Sequence, residues 1–179
     1  EVSSENDVIN GYGHPIDVTA VAHGLTRGSY DKGSLTVKEI FESYSLGIGP
    51  DKKTGYPIVS MFITGKDLKS LCELDASLSP FVNTVNLYFS GYEFTYNPHR
   101  LILDKVEYGM LKNVDGSLTP IDSQKLYRIA TDIYTATMMS GIESMTKGLI
   151  KIIPRDANGT PVSDFKKAYF SSSSFSITI

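Results

Sequence analysis

The strongest indication of the fold is a predicted strand that runs straight into a helix, YPIVSMFITGKDLKSLCEL (Tyr56–Leu74). Its first half is rich in β-branched and aromatic residues, which favours a strand. Gly65 is expected to break that strand. The second half places Leu68, Leu71 and Cys72 at helical spacing on one face. This pattern predicts an amphipathic helix that packs on the sheet.

Upstream of this stretch, the sequence predicts another strand and another helix. IDVTAVA (Ile16–Ala22) alternates and is rich in β-branched residues, as in a buried strand. Thr36 is followed three residues later by Glu39, which is the pattern of a helix N-cap with a capping box. The apolar residues of that helix fall on one face, and they are Val37, Ile40, Phe41 and Tyr44.

Downstream, the chain is rich in predicted strands. NTVNLYFSGYEFTYN (Asn83–Asn97) reads as one bent strand or two, and the Asp-Gly pair within Asn113–Ser117 predicts a tight turn. Further strands are predicted at LILDKVEYG (Leu101–Gly109), LYRIATDIY (Leu126–Tyr134) and LIKIIP (Leu149–Pro154). Strands and helices mix without strict alternation, so the sequence predicts an α+β fold and not a doubly wound α/β fold.

The length of 179 residues fits one domain with short flanking segments. Residues 1–15 are polar and glycine-rich, and we expect a lead-in segment there. The domain itself is expected to span residues 16–170, with Ser163 capping a last helix. Residues 171–179 form a tail, in which FSITI has the alternation of an edge strand.

Composition argues against several classes of partner. The formal net charge is −3 and no cluster of Lys and Arg is present, which argues against nucleic acid as a partner. No apolar run is long enough to span a bilayer, so membrane insertion is not expected. Cys72 is alone and lies on the apolar face of a predicted helix, which predicts a buried structural thiol.

Catalytic groups are not apparent in the sequence. His14, His23 and His99 are scattered, without the spacing of a metal site. Neither Ser90-Gly91 nor Ser140-Gly141 has the flanking glycine of a nucleophile elbow. An enzyme of another class, with a site assembled from distant residues, remains a minor alternative.

Two residues are candidates for ligand contact. Arg27 follows the first predicted strand and lies between Gly24 and Gly28, where a guanidinium can bind a carboxylate, a phosphate or a sugar hydroxyl. The alternative is a surface ion pair with Asp31. Tyr134 comes at the end of a predicted strand, before a turn of small residues, where its ring can stack on a base. The alternative is a tyrosine half-buried under a loop.

Several motifs stand in the same order as those of one family. GSLTVKEIF (Gly33–Phe41) is similar to its Gly-Asp-Ile-Thr-x-x-Asp-Leu-Phe helix start, and SLGI (Ser45–Ile48) stands where it has Pro-Phe-Gly-Asn. NLYFSGYEFTYNP (Asn86–Pro98) resembles its Ser-Gly-Leu strand, and YRIATDIYTAT (Tyr127–Thr137) its Tyr-x-Val-Ala-Thr-x-x-Phe strand. From Ile16 to about Phe170, the chain resembles the C-terminal domain of the secreted 5'-nucleotidases, UDP-sugar hydrolases and 2',3'-cyclic-nucleotide phosphodiesterases.

The resemblance implies an α+β domain of mixed sheets flanked by helices, layered α/β/β/α. It implies that this domain binds the nucleotide, while a separate N-terminal metallophosphatase domain holds two divalent metals and cleaves the phosphoester. The chain itself would then need no cofactor and be inactive alone, within an extracellular, cell-wall-associated or periplasmic hydrolase. Arg27 matches one of the substrate-binding arginines of the family, and Tyr134 matches the second of two aromatic rings that sandwich the base.

Three further pocket positions depart from the pattern of the family. Leu46 replaces the first stacking Phe, Ile48 replaces a pocket Asn, and Ser140 replaces a pocket Asp. These departures leave open a second function, a binding or interaction module with a degenerate nucleotide pocket. If Met138 and Met139 formed an exposed apolar patch with Ile48, this alternative would gain support. A closed pocket shared with Tyr134 would instead favour a small ligand.

Overall fold

The computed structural model describes residues 15–25, 27–44, 52, 58–82 and 85–162. In chain order, its strands and helices are β1 (Val18–Ala22), α1 (Val37–Tyr44), β2 (Ile58–Thr64), α2 (Gly65–Leu78), β3 (Leu87–Ser90), β4 (Tyr92–Tyr96), β5 (Val106–Lys112), β6 (Leu118–Pro120), β7 (Leu126–Asp132) and α3 (Ile133–Met145). The segments expected to form the lead-in, the last helix after Ser163 and the tail lie outside the described residues.

The strands form two sheets. The first has four strands in the order β2-β7-β1-β3, and the second has three in the order β4-β5-β6. β1 and β7 run parallel, whereas β2 with β7, β1 with β3 and both pairs of the second sheet are antiparallel. The predicted α+β fold, with mixed strands and flanking helices, is therefore confirmed.

The core lies between α2 and the sheets. Leu68, Leu71 and Cys72 on α2 are fully buried, as their helical spacing predicts. They belong to one cluster with Val18 on β1 and Ile129 on β7, which lie opposite each other in the parallel pair. Burial of Cys72 confirms that its thiol belongs to the core.

β2 ends at Thr64, directly before Gly65, as the sequence predicts, and α2 begins at Gly65 with Thr64 as its N-cap. Two other predicted boundaries and one predicted strand are wrong. β5 begins at Val106 and not at Leu101, because residues 101–105 contain a turn at Ile102 and Leu103. β7 ends at Asp132, which caps a helix that the sequence did not predict. LIKIIP is not a strand, and the segment that follows it forms an isolated bridge with β2, between Arg155 and Phe62.

α1 forms as predicted, but its apolar face is not buried. Thr36 Oγ1 accepts a hydrogen bond from the Glu39 backbone at 3.3 Å, and Glu39 Oε2 accepts one from the Thr36 backbone at 2.7 Å, so the capping box is confirmed. The buried residue of the helix is Ser43. The residues of the exposed apolar face are Val37, Ile40, Phe41 and Tyr44. Among the described residues, no helix is both long and apolar enough to cross a membrane.

Candidate functional site

The parallel pair of strands brings the β1–α1 loop and the start of α3 to one edge of the first sheet. Because β1 and β7 run in the same direction, the chain leaves both at the same edge. The backbone N–H of Ala22, the last residue of β1, donates to Thr135 Oγ1 at 3.2 Å. This hydrogen bond ties the start of the β1–α1 loop to the first turn of α3. The loop that carries Arg27 and the helix that carries Tyr134 therefore meet.

The first turn of α3 is held in a fixed geometry. Asp132 accepts two hydrogen bonds from Thr135, at 2.9 Å from the backbone N–H and at 2.6 Å from the side-chain hydroxyl. Both residues are buried. A capped helix start of this kind orients the neighbouring side chains, and Tyr134 is one of them. Tyr134 thus lies in the first turn of a helix that directly follows a strand.

Tyr134 packs on the backbone of Gly24. A Cβ atom at Gly24 would lie 3.3 Å from the hydroxyl of Tyr134 and 3.8 Å from the nearest ring carbon. Any larger residue at Gly24 would have to displace the ring. Tyr134 is half-buried, so part of it faces solvent beside the loop. This contact places Tyr134 against the β1–α1 loop, in which Arg27 lies three residues after Gly24.

Arg27 is exposed and its loop is fastened to α1. Its backbone N–H donates to the carbonyl of Ser43 at 2.9 Å, and Gly28 lies against the Ser43 side chain. Within the part of the chain that the structure describes, the guanidinium makes no ion pair with Asp31, so the surface pair that spacing allows is not formed. Its charge is available to a ligand.

Arg27 lines a cavity of about 470 Å³ between its loop and α1. Both positively and negatively charged side chains line this cavity. Glu39 stays ionised there, because hydrogen bonds from the backbone and side chain of Thr36 lower the pKa of its carboxyl. The ionisable residues in the lining are Arg27, Asp31, Lys32, Glu39 and Glu42, and Tyr30 also contributes. Tyr134 is not in the lining, so its ring contacts the Arg27 loop at Gly24 but does not border this cavity.

The other predicted pocket residues are not placed. Leu46 and Ile48 lie outside the described residues, in the segment that joins the end of α1 to the start of β2. Ser140 lies within α3, and its side chain is also outside the described part of the structure.

Met138 and Met139 form neither an exposed apolar patch nor a pocket shared with Tyr134. Met139 is buried and Met138 half-buried, so they are not an exposed patch. They line an apolar cavity of about 50 Å³ between α2 and α3, with Leu71 and Leu74 opposite. Tyr134 does not contribute to that lining. The cavity is therefore separate from the ring of Tyr134.

One pair of residues at this edge is missed by sequence reasoning. His23 directly follows β1, and its Nδ1 lies 2.9 Å from the hydroxyl of Tyr88 on β3. Both side chains are exposed. Metal-ligand spacing does not identify His23 as a candidate site residue. The signal in the sequence that could have identified it is its position directly after a buried strand and before Gly24. Among the described residues, no group of three or more His, Cys, Asp or Glu side chains could hold a metal ion.

A family model and solved structures match the chain. The model of the family "5'-nucleotidase, C-terminal domain" matches residues 6–147. A 5'-nucleotidase precursor from Thermus thermophilus superposes with a TM-score of 0.56 at 21% identity, over 82% of this chain and 26% of its own. The NAD nucleotidase of Haemophilus influenzae gives 0.57 at 19% identity, over 82% and 26%. Among curated protein sequences, none matches the chain.

A third solved structure covers less of the chain. It is a putative 5'-nucleotidase from Staphylococcus aureus in complex with alpha-ketoglutarate, with a TM-score of 0.51 at 18% identity over 68% of this chain. At these identities the structures show the fold alone. The chain spans about a quarter of the length of each, at 26%, 26% and 24%.

Proposed function

The chain belongs to the 5'-nucleotidase C-terminal domain family, and from that membership we propose that it is the nucleotide-binding, substrate-recognition domain of a two-domain, metal-dependent phosphoester hydrolase. The observation that carries the proposal is the meeting of the Arg27 loop and Tyr134 at one edge of the first sheet. A half-buried aromatic ring against the loop that carries an exposed arginine suits a ligand that has both a base and a sugar phosphate.

Each candidate residue has a distinct part in this proposal. The ring of Tyr134 stacks on the base, and the guanidinium of Arg27 donates to the ribose or the phosphate. The alignment of motifs with the family assigns the positions of Leu46, Ile48 and Ser140 to the same proposed pocket. Replacement of an aromatic ring by Leu46 removes one face of the base sandwich, so the remaining stack on Tyr134 gains in importance.

The phosphoester is cleaved elsewhere in the proposed enzyme. The chain covers 26% of the length of two solved relatives, which leaves room for a preceding metallophosphatase domain in a protein of their size. That domain would hold two divalent metals, which polarise the phosphoryl group and supply a bound hydroxide. Arg27 and Tyr134 bind and orient the nucleotide for it. An extracellular, cell-wall-associated or periplasmic location is part of the same proposal.

A thermal-shift titration of the chain tests the proposal. The ligand panel is adenosine, AMP, UMP, UDP-glucose and inorganic phosphate. A ligand at one hundred times its Kd adds about 2.7 kcal/mol to the free energy of unfolding, so a specific binder raises Tm clearly. Tyr134→Ala should weaken binding by about 1–3 kcal/mol, the contribution of one base–aromatic stack, while Tyr134→Phe should retain it. Tyr96→Ala, on β4 of the second sheet and 51% exposed, is the matched control.

One observation favours a second candidate function. The exposed apolar face of α1 adjoins the Arg27 loop, and soluble proteins seldom leave such a face bare without a partner. In this alternative the chain is a non-catalytic interaction module with a degenerate pocket. An unchanged Tm with every member of the panel would support it and would contradict the nucleotide-binding proposal.

A further inference from the structure

A histidine and a tyrosine form an exposed pair at the same edge of the sheet as Arg27 and Tyr134. His23 lies between the end of β1 and Gly24, and Tyr88 lies opposite Val21 in the antiparallel pair of β1 and β3. The His23 Nδ1 and the Tyr88 hydroxyl are 2.9 Å apart, and the ring centroids are 6.0 Å apart. The backbone N–H of His23 donates to the carbonyl of Asn86 at 2.9 Å. The main chain of His23 is therefore fixed to β3, and the Tyr88 hydroxyl holds the imidazole although it faces solvent.

The hydrogen bond with Tyr88 sets the chemistry of the second ring nitrogen. A phenol O–H is a stronger donor than an imidazole N–H, and an imidazole nitrogen is a stronger acceptor than a phenol oxygen. Tyr88 therefore donates to Nδ1 of the neutral ring, which leaves the proton of that ring on Nε2. A protonated ring also carries a proton on Nε2. In both states Nε2 is a donor, and it makes no hydrogen bond to another described residue.

We propose that His23, oriented by Tyr88, is a further ligand-binding residue, whose Nε2–H donates to an oxygen of the sugar–phosphate part of a nucleotide stacked on Tyr134. The inference rests on the proposed function and adds a residue that neither motif spacing nor the expected pocket set includes. The position of His23 relative to Tyr134 follows from Gly24, the next residue in the chain, because the ring of Tyr134 packs on the backbone of Gly24. Along the loop, His23 precedes Gly24 and Arg27 follows it. The two residues provide two hydrogen-bond donors, which suits the acceptor oxygens of a phosphate or ribose.

Calorimetric titration with AMP and with adenosine tests the inference. A hydrogen bond to a charged phosphate oxygen contributes about 1.5–3 kcal/mol, so His23→Ala should weaken AMP binding about tenfold or more. A loss confined to AMP assigns the contact to the phosphate, and an equal loss with adenosine assigns it to the ribose. Both results support a ligand contact of His23. His99→Ala, an exposed histidine in the turn after β4, should leave both affinities unchanged.

Tyr88 acts through His23 in this proposal, and the double variant separates that role from a structural one. Tyr88→Phe should weaken AMP binding in the wild-type background by removing the hydroxyl that orients the ring. In the His23→Ala background it should have no further effect, because the ring it orients is gone. An additive loss in the double variant would contradict the positioning role of Tyr88.

The outcomes distinguish failure of this inference from failure of the proposed function. If AMP binds and Tyr134→Ala abolishes binding while His23→Ala and His23→Gln do not change it, the inference alone is overturned. If wild-type protein binds neither AMP nor adenosine, the proposed function fails and the inference fails with it. Both side chains are exposed, so a Tm of each variant near that of the wild type shows that the fold is intact.

Discussion

A buried carboxylate on α2 fixes the start of β5. Glu73 is 5% exposed, and its two oxygens each accept a backbone hydrogen bond at 2.8 Å, from Lys105 and from Val106. Glu73→Gln should lower the free energy of unfolding by about 1–3 kcal/mol, because the amide NH₂ would face a buried N–H donor. Urea unfolding measures this difference. The exposed neighbour Glu107→Gln should change it by less than about 0.5 kcal/mol, and equal effects would contradict the argument.

A second acidic residue of α2 makes stability depend on pH. Burial raises the pKa of the Asp75 carboxyl above its ordinary value of 3.8, and the hydrogen bond from the Leu87 backbone at 3.0 Å opposes this only in part. The native state therefore holds the proton more tightly than the unfolded state does. The resulting stabilisation is full below pH 3.8 and is lost as pH rises through the higher pKa of the native state.

Asp75→Asn tests this dependence on pH. Asparagine keeps an oxygen for the Leu87 N–H but cannot ionise, so the variant should gain stability relative to wild type as pH rises from below 3.8 to neutral. Urea midpoints measured across that range provide the comparison. If the curves of the two proteins run parallel, burial of Asp75 does not couple folding to protonation.

At the residue scale, the sequence predicts what depends on near neighbours. The capping box of Thr36 and Glu39 involves residues three apart, and both of its backbone hydrogen bonds are present. The partner of His23 is 65 residues away on β3. No local sequence pattern predicts such a pair, because the two side chains meet only when β3 pairs with β1.

Among the elements, the junction of β3 and β4 depends on one glycine. The sequence left open one bent strand or two, and the structure has two strands, in different sheets, separated by Gly91 with φ of 76°. A Cβ atom there would lie 2.5 Å from the carbonyl oxygen of Asp17. The residue must therefore be small as well as able to adopt a left-handed conformation.

Gly91→Ala and Gly116→Ala separate these two requirements. Gly116 has φ of 82° in the β5–β6 turn, and a Cβ atom there would meet nothing within 4 Å. Gly116→Ala should lower the free energy of unfolding by about 1–2 kcal/mol, the cost of a left-handed alanine. Gly91→Ala should lower it by more, since the clash with Asp17 is added. Equal urea midpoints for the two variants would contradict the close contact.

The helices show which part of the local pattern is informative. The spacing within α1 gives its helical period correctly, but the buried position is Ser43, beneath the Arg27 loop. Periodicity identifies an apolar face and does not say what covers it. α3 is missed for a different reason. Its N-cap, Asp132, lies between the strand-forming residues of β7 and Ile133-Tyr134, so the local sequence reads as one longer strand and does not reveal the helix start.

Across the whole molecule, the position of the candidate site follows from the order of the strands. Ala22 and Thr135, whose hydrogen bond joins the end of β1 to the first turn of α3, are 113 residues apart in the chain. The sequence predicts each strand from its own composition, but not that β7 pairs in parallel with β1. The ordered motifs of the family imply mixed sheets flanked by helices, but they do not say which strands pair. They also do not give the distance between Arg27 and the ring of Tyr134, because that distance depends on how the β1–α1 loop packs on α3.

The proposed function assigns recognition to this chain and cleavage to a separate domain, and that proposal gives a last prediction. Metal-dependent phosphoester hydrolysis needs several carboxylate or imidazole ligands around each cation, and no such group exists among the described residues. EDTA should therefore leave the Tm of the chain unchanged, and added Mn²⁺ or Zn²⁺ should not produce phosphate from AMP in a colorimetric assay. A metal-dependent release of phosphate that follows the protein through size-exclusion chromatography would contradict this division. AMP binding without hydrolysis would instead mean that recognition and cleavage reside in different domains.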